Sequence, residues 1–356
     1  MTRNLLAVLI LCFAFSCKKS DSNGDSLPET YYFPPLTGDT WENRTAASLG
    51  WDETKLQDAF DFAGTKNTYG LIVLQKGRII KEQYWNSWTK DTKYYIASAG
   101  KSVCAFLAGI AQSEGTININ NKTSQYLGTG WASLPLAKEN LITIRNHLTM
   151  TTGLDDAVAN PDCTSPACLT YKADAGTRWA YHNAPYHLLQ DVIAAASSKT
   201  FNQYCKEKLF DKVGMPNSFW LNYIMWCTTR EASRFGSLIL RKGNWNGIQL
   251  LTDPNFFTEM TNTSQSFNLS YGYLWWLNGK ASCMVPQSQV VFPTPLIPNA
   301  PADMICALGK DDKKIYVVPS QDIVVVRLGD NAGTSILGPS SFDNELWGKL
   351  RLAIKY

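Results

Sequence analysis

YYIASAGKSVCAFLAGIAQSEG, residues 94–115, sets a serine where an apolar helix begins. The serine is Ser98, and Lys101 follows at i+3, a spacing that shares one helix face and puts an amine beside a hydroxyl within a single turn. Val103, Ala105, Phe106, Leu107, Ala108 and Ile110 surround the lysine with apolar mass. Desolvation disfavours an ammonium, so this setting favours a neutral amine able to take the serine's proton. The free N–H groups and dipole of a helix N-terminus favour the negative charge that develops on an attacked carbonyl oxygen. The tetrad by itself is weak, because S-x-x-K recurs at Ser16–Lys19 and Ser87–Lys90 and serine is a common N-cap.

On the N-terminal side, WDETKLQDAFDFAG (51–64) repeats apolar residues at helical spacing behind a possible cap at Asp52. A hairpin then follows from two β-rich runs, Leu71–Leu74 and Arg78–Tyr84, around Gln75-Lys76-Gly77. On the C-terminal side Gly115 ends the serine's helix, and residues 116–260 alternate polar loops with helical patterns at Ile144–Met150, Ala184–Ala196, Phe201–Phe210 and Arg230–Lys242. Strand character returns in YGYLWWL (271–277) and in Ile315–Val318 and Ile323–Leu328, which flank a Pro-Ser-Gln-Asp turn. Trp347–Tyr356 reads as a closing helix. This order predicts an α+β fold, an α/β sandwich whose antiparallel sheet comes from both ends of the chain, flanked by helices, with a mostly helical lobe (about 116–260) inserted.

Residues 1–17, MTRNLLAVLILCFAFSC, have the layout of an export signal: Arg3, an apolar run from Leu5 to Phe15, then Ser16 and Cys17. The run falls short of the roughly 20 residues a membrane span needs. The segment resembles a bacterial lipoprotein signal in which Cys17 is lipidated after cleavage, although Phe15 departs from the usual small residue. Residues 18–44, polar at the start (KKSDSNGDSLPET), are expected to be a flexible tether to a membrane, with residues 45–356 as the folded domain. That layout implies an exported, membrane-anchored protein, periplasmic or at the cell surface.

Basic and acidic residues, 33 and 30, are interspersed and leave a net charge of +3, so nothing points to nucleic acid. Three scattered histidines and no C-x-x-C predict neither metal nor cofactor. Of nine cysteines, Cys12 and Cys17 belong to the signal. Cys163 and Cys168 share the loop PDCTSPAC and are close enough to bridge under oxidising conditions. Cys104 lies among apolar helix residues and reads as a small buried hydrophobe. Pairing of Cys205, Cys227, Cys283 and Cys306 stays open.

Tyr181-His182-Asn183 precedes a helix in the inserted lobe. Its plain interpretation is that Asn183 caps the helix and Tyr181 packs, and a second Y-x-N occurs at Tyr84–Asn86. Only Tyr181, however, sits where a phenol can face the serine across a lobe boundary. Together with LIVLQKGRIIKEQYW (71–85), ITIRNHLTMTTGL (142–154), REASRFGSLILRKG (230–243) and IYVVPSQDIVVVRLGD (315–330), these motifs make the chain resemble the serine hydrolases related to class C β-lactamases, penicillin-binding D-peptidases and certain esterases, over about residues 45–350. The resemblance implies Ser98 as nucleophile, Lys101 as its activating lysine, Tyr181 as proton-transferring phenol and Asn183 as substrate-orienting amide. The Ser98 backbone N–H would be half of an oxyanion hole. Either a neutral Lys101 or a Tyr181 phenolate can serve as base, and the two titrate as a coupled group.

The third motif departs from that family. Where Lys-Thr-Gly or His-x-Gly is usual, this chain has Gly309-Lys310-Asp311-Asp312-Lys313. Lys310 keeps the positive charge as a substrate-binding candidate, while two aspartates are expected to oppose anionic substrates. The sequence therefore favours acyl transfer on small, neutral or cationic esters or amides. A β-lactamase or D-peptidase, and a catalytically idle relative that binds cell wall, are the alternatives.

Overall fold

The computed structural model describes residues 30–334 and 337–356. Its centre is a six-stranded antiparallel sheet. The hairpin β1 (Thr68–Gln75) and β2 (Arg78–Tyr84) forms one edge, turning at Lys76 and Gly77, both with positive φ. A short sheet of β3 (Lys93–Tyr95), β4 (Phe219–Leu221) and β5 (Ile224–Thr228) stands apart from it. The C-terminal segment supplies β6 (Trp276–Leu277), β7 (Ile305–Gly309), β8 (Lys313–Val318) and β9 (Ile323–Gly329), giving the order β2-β1-β9-β8-β7-β6. Every residue of β7, β8 and β9 is buried. Near-continuous apolar runs are what a strand covered on both faces requires.

Alternate side chains serve the two faces. On one, α1 (Glu53–Gly64), capped by Asp52 as the sequence predicts, packs beside α6 (Ser341–Ile354), whose Trp347 ring lies 5.6 Å from that of Tyr316. On the other, α5 (Thr229–Leu240) lies so close to β8 and β9 that a Cβ on Gly236 would come within 2.5 Å of Val324 Cγ1. Between sheet and helical lobe runs α2 (Gly100–Ser113), buried from Gly100 to Ala111. A helix apolar all round belongs inside a protein. The lobe has its own core of Trp131, Ile142, Leu154, Leu169 and Leu188, reached by α3 (Ile144–Leu148) and α4 (Asn183–Ser197).

The tether expectation needs correcting at one end. The folded unit begins at Tyr32, not at residue 45. Trp41 is buried and donates through Nε1 to Gly77 O at 2.8 Å, while the Arg234 guanidinium donates to Pro34 O and Pro35 O and lies over the Trp41 ring. Tyr32, Phe33, Pro34 and Trp41 are too apolar to stay in solvent, unlike the polar residues 18–29, which with the signal segment and Cys17 lie outside the described residues. YGYLWWL is strand only at Trp276–Leu277, because Leu274 takes a left-handed φ of 56°. The strand β7 went unforeseen, since ICALG holds only one residue of high β preference.

Candidate active site

Ser98 lies in a 3-10 turn, Ala97–Ala99, between β3 and α2. The residue before it, Ala97, adopts a left-handed φ of 47°, a conformation that non-glycine residues seldom hold without surrounding constraint. Ile96 N–H donates to Met225 O of β5 on one side and Gly309 packs its Cα against Ile96 O on the other, so the turn is clamped between the small sheet and the end of β7. The N-cap of α2 is Ala99, so the Ser98 hydroxyl caps nothing. It is half-buried and faces Lys101 instead.

Lys101 is 2% exposed. Its Nζ lies 2.8 Å from Ser98 Oγ and 2.7 Å from Asn183 Oδ1, and it sits over the rings of Tyr181 (4.9 Å) and Tyr186 (4.6 Å). Burial brings its pKa down to about 7, with the charge of Asp162 pulling the other way. Tyr181 lies in the loop just before α4, stacked on Trp276 at 5.5 Å and edge-on to Tyr271. Burial pushes its phenol up, opposed by a hydrogen bond with the Ser98 hydroxyl. At neutral pH the site thus holds a protonated phenol beside an amine near its midpoint. Asn183, the first residue of α4, is not spent on the helix end; its Nδ2 donates to Asp162 Oδ1 at 2.7 Å.

The Ser98–Lys101 pair and the Tyr181–Asn183 pair, far from each other in sequence, therefore meet. Lys310 does not join them. It is exposed, opens the turn after β7 and makes no hydrogen bond to any of the four. The two aspartates of that turn sit among shared ion pairs. Asp312 is buried, and burial pushes its carboxyl up, but Lys314 at 3.1 Å, Ser340 Oγ and the Ala332 and Gly333 N–H groups outweigh that and hold it low. Asp311, at a φ of 56°, shares Lys313 (3.5 Å) and the Tyr95 hydroxyl (3.3 Å). Lys313 is shared with Asp330 at 3.6 Å and Lys314 with Asp343 at 2.9 Å, so two lysines serve four carboxylates.

Lys313, the last residue of the third motif and not singled out from the sequence, has a fully buried side chain whose Nζ lies 4.1 Å above the Tyr95 ring and 3.1 Å from its hydroxyl. Asp162 was missed as well. The one signal near it is the cysteine pair that closes its loop, and Cys163–Cys168 is bridged; the other described cysteines are buried thiols.

A family model described as beta-lactamase matches residues 56–234. An uncharacterized protein of Alkalihalophilus pseudofirmus is 21% identical over 304 residues, covering 74% of this chain and 84% of that one. A candidate 6-aminohexanoate-dimer hydrolase from Bacillus anthracis superposes with a TM-score of 0.68 at 16% identity, covering 92% of this chain and 90% of that one. A class C beta-lactamase solved with cefoxitin gives 0.63 at 16% identity, covering 86% and 98%. At such identities these structures share the fold.

Proposed function

From the premise that this chain belongs to the beta-lactamase family, whose members are serine hydrolases, we propose that it hydrolyses small esters or amides through an acyl-enzyme on Ser98. One observation carries the reading: a buried amine, its pKa lowered by that burial, stands 2.8 Å from a hydroxyl that caps nothing. In this scheme the Ser98 proton passes to the Lys101 lone pair as Oγ attacks the acyl carbon. The Tyr181 phenol, held protonated, relays a proton to the leaving group, and a water repeats the sequence in reverse to free the enzyme. Preference for neutral or amine-bearing substrates rests on the missing Lys-Thr-Gly hydroxyl and small residue and on the surplus of carboxylates around Lys313 and Lys314. The fold shared with a candidate hydrolase of a linear amide is in keeping with it.

A second reading, β-lactam or D-peptide hydrolysis, draws on exposed Lys310, a cation free to meet a substrate carboxylate. Both are tested together. A fluorophosphonate should label Ser98, as mapped by mass spectrometry, and Ser98→Ala should abolish labelling and turnover without unfolding. In a side-by-side kcat/KM comparison, a short-chain p-nitrophenyl ester should outrun a chromogenic cephalosporin. The reverse order promotes the second reading, and silence on both substrates with no labelling moves the protein to an idle binding role. We also propose export and anchoring through Cys17, from the short apolar run alone; Cys17→Ala should release a membrane-bound protein, and a soluble wild type would sink that proposal.

A further inference from the structure

The loop before the Tyr181–Asn183 segment sets a carboxylate against the site. Asp162 Oδ1 accepts from Asn183 Nδ2 at 2.7 Å, Asn183 Oδ1 accepts from Lys101 Nζ at 2.7 Å, and that nitrogen lies 2.8 Å from Ser98 Oγ. The four side chains form one line from carboxylate to hydroxyl. An ionised carboxylate accepts only, so the amide must turn its NH2 to Asp162 and its oxygen to the lysine. Lys101 then donates one N–H to that oxygen, which leaves its lone pair for Ser98. With no acceptor at 162 the amide is free to turn over, and its NH2 would compete for that same lone pair.

The loop is built to hold this position. The Cys163–Cys168 bridge closes it, and Asp162 N–H donates to Asn160 Oδ1 at 3.1 Å. Pro161 O accepts from Ala184 N–H, and Asp162 O accepts from His187 Nδ1, tying the loop to the first turns of α4. None of these bonds uses the Asp162 carboxylate, and the residue is exposed.

We propose that Asp162 is a positioning residue for acyl transfer: it fixes the orientation of the Asn183 amide and so aims the Lys101 lone pair at Ser98. The proposal rests on the serine-hydrolase reading above. Its negative charge has a second effect, favouring the Lys101 ammonium against the pull of burial.

The test compares Asp162→Ala, which removes the acceptor, with Asp162→Asn, which keeps a neutral one. For Asp162→Ala, the rate of Ser98 labelling by the fluorophosphonate and kcat for the p-nitrophenyl ester should each fall about 10–100-fold, the scale of a misaimed catalytic group, with KM little changed. Asp162→Asn should stay within severalfold of wild type while the acid limb of its pH profile moves to lower pH. Because the loop's backbone bonds remain, both variants should unfold at the wild-type temperature. A wild-type rate and pH profile in Asp162→Ala overturns the proposal. Independently of turnover, ¹³C-lysine NMR should place the Lys101 titration at lower pH in both variants. If wild-type Ser98 takes no label, the hydrolase reading fails, and the titration alone still decides whether Asp162 is linked to Lys101.

Discussion

The hydroxyl of Ser98 and the amine of Lys101 each lack an ordinary structural job. A serine before a helix usually caps it, and a buried lysine usually pairs with a carboxylate, yet Ser98 caps nothing and Lys101 reaches an amide and a hydroxyl. The sign of the pH dependence follows from the lysine. Attack requires the amine neutral, and burial has brought its pKa from the usual range to about 7, so kcat/KM for the ester should rise with pH and level off above neutrality. Below that point it should drop about tenfold per pH unit. Lys101→Ala should abolish the limb together with most of the activity. A profile flat from pH 5 to 8 would take the base role away from Lys101. Tyr181, pushed upward by burial, stays protonated over this range, which leaves the amine as the acceptor of the serine proton.

Helix α5 shows how an element, not a residue, sets a distance. It comes close enough to β8 and β9 that its glycine meets Val324, and a methyl group there would sit 2.5 Å from Val324 Cγ1. Gly236→Ala should therefore destabilise by about 1–3 kcal/mol, the usual cost of overpacking, although alanine is the better helix former by about 1 kcal/mol. Urea unfolding reads the difference, and a more stable variant would mean that helix and sheet can separate at little cost. The element that carries Ser98 is held by neighbours on two sides. Its left-handed Ala97 has no counterpart in any propensity rule, so the turn is imposed by β5 and β7.

Across the whole molecule the histidines His147, His182 and His187 are all buried, and burial brings each down to about 4. Unfolded, each would titrate near 6.5. Between those values the unfolded chain binds protons that the folded chain refuses, so stability is lost as pH falls from about 6.5 to about 4 and is unaffected by these groups above that window. Each contributes a slope of up to about 1.4 kcal/mol per pH unit. Denaturant midpoints measured at pH 7.5, 6 and 5 should decline steeply, and a constant midpoint would show that these rings protonate inside the fold. What the sequence determined by itself was whatever depends on periodicity and neighbours in the chain: α1 and its Asp52 cap, the hairpin at Lys76-Gly77, the paired apolar strands β8 and β9, the close approach of Lys101 to Ser98 within one turn, and the Cys163–Cys168 bridge. Tyr181 and Asn183 were placed at a lobe boundary by the helix pattern, but their roles entered only through resemblance to a family, because a phenol or amide some 80 residues away has no local signature. Only the tertiary structure decided that 32–44 packs on the domain, that Asp311 and Asp312 share Lys313 and Lys314 with Asp330 and Asp343, that Lys310 stays out in solvent, and that Asp162 stands behind Asn183. Those outcomes turn on which charge meets which across the fold, and a left-handed turn or a crossing strand redirects a carboxylate without leaving a trace in the spacing of residues.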